Sequence, residues 1–529
     1  MRIALKSLLL VLLFTPVIAL AQKNYLKDPM VRIAMSAYAA QIAENPQNYG
    51  AYYSRAKDYF RYGESELALT DLNKAIELFP ANEGAELSQA YTMRALIYQK
   101  KGDGVKALAD FNEALTLDPQ SYYSLLGRAD LLCEMGDYAH AQDDYQMLLR
   151  RDARCQEAYL GLARAAYKQQ NMGDCNEMLA KAQNANPSNA DFYMQRGALY
   201  EEMKEYGKAA DDYVSAIFYG ENSKSVFALN RLSRIDYDAV VNSLTTIIES
   251  SEDKGFYYFI RATIHKNNYH YSASIKDWNE IVEKKYFYHN SIFANRAYCY
   301  MRLGQFEYAI EDMNKAIVMK GDDMSYYITR GRLYRIQGIF DKAAEDLAIA
   351  ATFDPSNVEL LQERGLLAVE QKDYESAANY YNEAIMYDAE NAKSYLLRAE
   401  NCLRLKDNEG AVRNFEMVAN YPEEQPQMSS LRGFALASLG RNAEAEEWVE
   451  AVMRVDSEYV DASLYYQAAC LYALTGNKKQ AYNYLEKAFK AGYGDYYDVY
   501  FESDTPVSLA PLRNEADFAD LVKSYVEIF

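Results

Sequence analysis

A helical hairpin recurs along most of this 529-residue chain, and no other feature narrows its possible folds so far. The pattern is clearest from Tyr326 to Pro355. With Gly331 as origin, Arg330 precedes by one residue, and Tyr334, Gly338, Ala343, Leu347 and Ala350 follow by 3, 7, 12, 16 and 19. Small residues at 0, +12 and +19 stand where two helices must approach closely, and Gly338 stands where the chain turns.

Equivalent origins are Ala56, Ala95, Ala129, Ala163, Gly197, Ala228, Ala262, Ala297, Gly331, Gly365, Ala399, Gly433 and Ala469. The interval is 34 residues from Ala95 through Gly197 and again from Gly331 through Gly433. Alanine recurs at +12, as at Ala107, Ala309 and Ala445, and a bulky residue at +16, as at Phe111, Trp278 and Tyr381. Small opposite large at one period is what stacked hairpins need to interdigitate without voids. A 34-residue helix–turn–helix period resembles that of the tetratricopeptide repeat family, over about residues 50 to 490. The resemblance implies an all-α fold: an α-solenoid of about thirteen hairpins winding as a right-handed superhelix.

The unit at Ala228 departs from the pattern, with Arg231 where an aromatic is usual, Ile235 where Gly is usual, and only 31 residues separating it from Gly197. The expected organisation is therefore a first subarray over 50–220, an irregular repeat over 221–254 and a second subarray over 255–490. Residues 22–49 fit a capping helix, and 491–529 a C-terminal cap with a short amphipathic helix from about Glu515. Solenoid ends need such elements because a terminal repeat otherwise exposes an apolar face.

Residues 1–21 carry Arg2 and Lys6, an apolar run from Leu8 to Leu20 and the small pair Ala19 and Ala21. They read as a signal peptide cleaved after Ala21, because the run is short of the roughly 20 apolar residues that span a bilayer. The mature chain is expected to be exported, periplasmic or extracellular. Loss of Arg2 and Lys6 takes the formal charge from −20 to −22, by subtracting two positive charges. That balance opposes nucleic-acid binding, which needs a segregated basic stripe to displace counterions.

Cys133, Cys155, Cys175, Cys299, Cys402 and Cys470 form no CxxC pair, and their spacing is unlike a zinc site. Buried thiols are expected, with disulfides possible only where two Cα atoms come within about 7 Å. His265 takes a +3 slot usually filled by Tyr, so it reads as a core histidine rather than a base or a metal ligand beside His270. No catalytic or phosphate-binding motif is present. The chain is expected to be non-enzymatic, without cofactor or metal. Arg at −1 and Asp at +15 recur, as at Arg296 and Asp312, and predict a ladder of ion pairs between helices.

In the family the chain resembles, first helices line a concave groove that holds peptides. Positions −3, +1 and +4 share a helix face. They supply a mixed aromatic and cationic set: Phe259, Lys266, Tyr298, Met301, Arg332 and Arg335. Arg beside aromatic anchors suits a protein interface, and a basic spot on an acidic protein suits an anionic segment. The clamp that some members use for a chaperone tail needs Lys at −3 and Asn at +1, and no unit here has both. The expected function is a scaffold or adaptor binding protein segments. The alternatives are a periplasmic chaperone for unfolded clients and an accessory to carbohydrate or nutrient uptake, with Tyr stacking on a glycan.

Overall fold

A computed structural model of the chain describes residues 29–80, 84–220, 223–421, 429–455, 461–500 and 508–525. The expected signal peptide lies outside these residues. Every regular element within them is an α-helix, from Pro29–Glu44 to Ala516–Tyr525. The fold is an all-α solenoid of helical hairpins. The chain divides into two compact units, Met1–Leu229 and Asn230–Phe529, with the boundary inside helix Ser223–Leu232.

Each hairpin turns at +7. That residue has positive φ at Gly102, Gly136, Gly304 and Gly338, and also at Lys204, Lys372 and Lys406. The next residue often caps the second helix: the side chains of Asp103, Asp137, Asp373 and Asp407 each accept the backbone N–H three residues on. Ile235, at the same position in the irregular unit, does not adopt positive φ, a conformation that crowds a β-branched side chain.

Packing follows the small–large alternation. Ala56, Ala95, Ala129, Ala262, Ala297 and Ala399 are fully buried, as are their +12 partners Ala68, Ala107, Ala141, Ser274, Ala309 and, at 2 % exposure, Ala411. At two origins glycine makes room for the ring that arrives from +16. A Cβ on Gly197 would come within 2.7 Å of the Tyr213 ring, and one on Gly365 within 2.3 Å of Tyr381. Both tyrosines are buried, so in these two units the missing Cβ leaves room for the ring in the hairpin core.

The ion-pair ladder is present and tighter than a surface array. Arg55–Asp71, Arg94–Asp110, Arg128–Asp144, Arg196–Asp212, Arg261–Asp277, Arg296–Asp312 and Arg330–Asp346 are each bidentate, Nε and Nη2 donating at 2.6–2.8 Å. The aspartates are buried. In six of the seven, Nη1 also donates to a side chain on the preceding hairpin: Asn73, Asn112, Gln183, Thr245, Asn279 or Asn314. Each such guanidinium therefore joins three helices and fixes one hairpin against the next.

Successive first helices also pack directly on one another in several places, as Gly84–Lys100 does on Tyr122–Met135 and Val358–Glu370 on Ala392–Arg404, which puts them on the inner side of the stack. The six thiols are free, and all but Cys402 are buried.

Candidate functional site

The predicted groove residues lie on three first helices of the second unit, Lys254–Asn267, Asn290–Arg302 and Met324–Ile336. The structure does not make one surface of them. Phe259 is fully buried with its ring edge-on to Trp278 at 4.9 Å, and Met301 is 2 % exposed in the core. Both stand one helical turn from an origin residue, at −3 and +4, and so share its packed face rather than the groove. Arg332 donates to Glu363 at 2.7 Å and to Glu359 at 2.8 Å, and Arg335 reaches Glu363 at 3.2 Å. Glu363 is 1 % exposed. Burial opposes its ionisation, but Arg332 and Arg335 outweigh burial and hold the carboxyl at about 2. This cationic pair thus already holds an internal anion.

Tyr298 and Lys266 remain together. Lys266 Nζ donates to Asn295 at 2.9 Å and lies 5.7 Å from the centre of the Tyr298 ring, and burial pulls the ammonium below its usual range. Tyr298 is 38 % exposed, and the Arg302 guanidinium faces its ring at 5.7 Å.

Arg302 leads to a group that sequence reasoning missed. After the last hairpin the chain returns to these early helices of the same unit, and helix Tyr496–Tyr500 packs on helix Asn290–Arg302. Arg302 donates to Asp495 at 2.5 Å and to Asp498 at 2.8 Å. Tyr271 donates to Asp495 at 3.2 Å, and Tyr493 to Asp498 at 2.9 Å. The Asp498 carbonyl accepts from Tyr466 at 2.6 Å. Tyr269, in the turn after helix Lys254–Asn267, donates to Asp461 at 3.1 Å and has its ring 5.0 Å from Tyr493. Gly494 passes so close to the Tyr269 carbonyl oxygen that a Cβ would stand 2.6 Å from it.

One arginine here faces two acids in a buried site. Arg302 is raised well above its ordinary value: burial works against its charge, but Asp495 and Asp498 prevail. Burial raises the Asp495 carboxyl to about 7, with Asp498 adding to the rise and Arg302 resisting it. The only advance sign was composition: Asp495 and Asp498 stand among four tyrosines in Tyr493–Tyr500, a stretch too polar for a repeat and too aromatic for an idle tail.

His265 is 6 % exposed and bonded to the Tyr237 hydroxyl at 2.6 Å. Burial, with Arg261 and His270 adding to it, lowers its imidazole to about 3, so it stays neutral in the core. Among the described residues, no group of three or more His, Cys, Asp or Glu side chains is placed to hold a metal ion, and no helix is long and apolar enough to cross a membrane.

The tetratricopeptide repeat family matches over residues 126–174 and 363–425 in one form, and over 88–121, 291–323 and 462–491 in another. Similar solved structures include a tetratricopeptide repeat protein from Parabacteroides merdae, 15% identical, covering 55% of this chain and 100% of its own, with a TM-score of 0.35. Yeast Tom70 is 14% identical and covers 78% of this chain and 100% of its own, with a TM-score of 0.34. No curated protein matches the chain.

Proposed function

Because the chain is built of tetratricopeptide repeats, we propose that it is an exported, non-enzymatic adaptor that holds protein segments against the first helices of its hairpins. The second unit supplies the observation that carries this reading. Its first helix Asn290–Arg302, through Tyr298 and Arg302 and with Tyr271 from the neighbouring second helix, already binds an acidic, tyrosine-bearing stretch of polypeptide that ends in a short helix, the chain's own Tyr493–Tyr500. Arg302 recognises the carboxylates, and the rings around it exclude water from the contact. Partner segments of the same character, acids spaced among aromatics, match this chemistry.

The test uses a labelled peptide of sequence GYGDYYDVY, which reproduces residues 492–500. The full chain is expected to bind it weakly, because the internal copy competes at high effective concentration. A chain carrying Asp495→Asn and Asp498→Asn is expected to bind at least tenfold tighter, and Arg302→Met in that background to abolish the gain. Equal binding by all three chains would refute the adaptor face, whereas equal binding of many unrelated apolar peptides would point to a chaperone.

A further inference from the structure

The ion-pair ladder changes character late in the second unit. At +15, where the seven earlier rungs carry Asp, the units of Gly365, Ala399 and Gly433 carry Tyr380, Asn414 and Trp448. Arg398 retains the ladder geometry nonetheless. Its Nε donates to Asn414 Oδ1 at 2.8 Å, and its Nη1 to Asn382 on the preceding hairpin at 2.8 Å. In every complete rung the edge formed by Nε and Nη2 receives both oxygens of a carboxylate. An amide offers one oxygen, and Asn414 turns its nitrogen away to the Gly410 carbonyl at 2.8 Å. Among the described residues no acceptor meets Nη2 of Arg398.

This guanidinium opens onto a cleft of about 930 Å³ between helices Tyr374–Tyr387, Ala392–Arg404 and Asn408–Ala419. Arg398 lines it with Tyr395, Cys402, Arg413, Met417 and Tyr421, together with the carboxylates of Asp407, which caps the next helix, and Glu416. The Tyr395 and Tyr421 rings meet edge-on at 6.4 Å, and the Arg398 guanidinium stacks on Tyr395 at 5.3 Å. The electrostatics agree with the geometry. At Arg296 burial is outweighed by Asp312 and the guanidinium is raised, whereas at Arg398 burial meets no carboxylate and lowers it.

We propose that the cleft at Arg398 is a carboxylate-binding site that takes an Asp or Glu side chain of a partner polypeptide at Nη2, the donor that the ladder's own aspartate occupies elsewhere and Asn414 leaves open. A free small carboxylate fills little of 930 Å³ and gains one charge-assisted contact, worth about tenfold in affinity. A polypeptide adds apolar side chains against Tyr395, Met417 and Tyr421, and these supply the area that the single charge contact lacks. The site lies on the hairpins of Gly365 and Ala399, so it is separate from the helices of the Ala262 and Ala297 hairpins that bind Tyr493–Tyr500.

The experiment measures fluorescence anisotropy of a labelled peptide, GSLYELYSG, and its counterpart GSLYQLYSG, on the full chain. The Glu peptide is expected to bind at least tenfold tighter than the Gln peptide. Arg398→Met should bring the two together. Asn414→Asp restores the ladder's carboxylate, and it should also abolish the preference while raising the melting temperature, which separates occupation of the site from loss of fold. Equal binding of both peptides, or an undiminished Glu preference in Asn414→Asp, would overturn the proposal. Displacement of the peptide by an equal concentration of succinate would overturn the polypeptide ligand.

Discussion

Arg302 donates to the Asp495 carboxylate across 193 positions of sequence. In an ordinary solenoid each repeat touches only its neighbours and stability sums along the array. This contact instead couples hairpins near the start of the second unit to the end of the chain.

Removing the cation should therefore loosen both ends of the contact. Arg302→Met leaves the buried Asp495 and the partly buried Asp498 without their counter-charge, and loss of one partner from such a cluster costs about 3–5 kcal/mol. Hydrogen exchange should accelerate at Tyr493–Tyr500 and in the turn at Tyr269, while residues 88–121 of the first unit keep their protection. Gly494→Ala should give a milder version of the same pattern, since its Cβ would meet backbone that cannot turn aside. Unchanged exchange in both variants would show that the contact contributes nothing to closure.

The same cluster gives the second unit a pH dependence of definite sign. The Asp495 carboxyl is raised from its ordinary 3.8 to about 7, so between these values the folded state holds a proton that the unfolded state has released. Stability from this group is therefore lost as pH rises from about 4 to 7 and levels off above. Protection of Tyr493–Tyr500 should be greater at pH 6 than at pH 8, and Asp495→Asn should remove most of the difference. Greater protection at pH 8 would reverse the assignment.

Rungs of the ladder should differ according to burial. The Arg296 side chain is 10% exposed and that of Arg55 21%, with Asp312 and Asp71 at 3% and 4%. Asp312→Ala strands a guanidinium in the core and should cost about 3 kcal/mol, whereas Asp71→Ala, beside a better-hydrated arginine, should cost about half as much. Replacing both Arg296 and Asp312 with apolar residues should recover part of the loss. Chemical denaturation of the three variants reads the order directly.

Two glycines should respond oppositely to alanine. A Cβ at Gly161 would stand 2.2 Å from the buried Tyr145 ring, so Gly161→Ala should destabilise by about 1–3 kcal/mol. Nothing lies within 4 Å of a Cβ at Gly207, in the first turn of helix Tyr206–Gly220, and Gly207→Ala should stabilise by about 0.4–1 kcal/mol. Melting temperatures that move together would contradict this.

The period alone determined the all-α hairpin array, the turn at +7, the small and large packing positions and the pairing of Arg at −1 with Asp at +15. Each depends on residues within one repeat, or one repeat and the next, so local spacing carries the information. The tertiary structure decided what crosses that range. It placed Phe259 and Met301 in the core, because membership of a helix face is settled by what packs against it and not by spacing alone. It paired Arg332 and Arg335 with Glu363, a residue of the following hairpin whose position marks no periodic rule. It also returned Asp495 and Asp498 to Arg302, a contact that depends on the summed small rotations of many stacked hairpins, a quantity that no single repeat encodes.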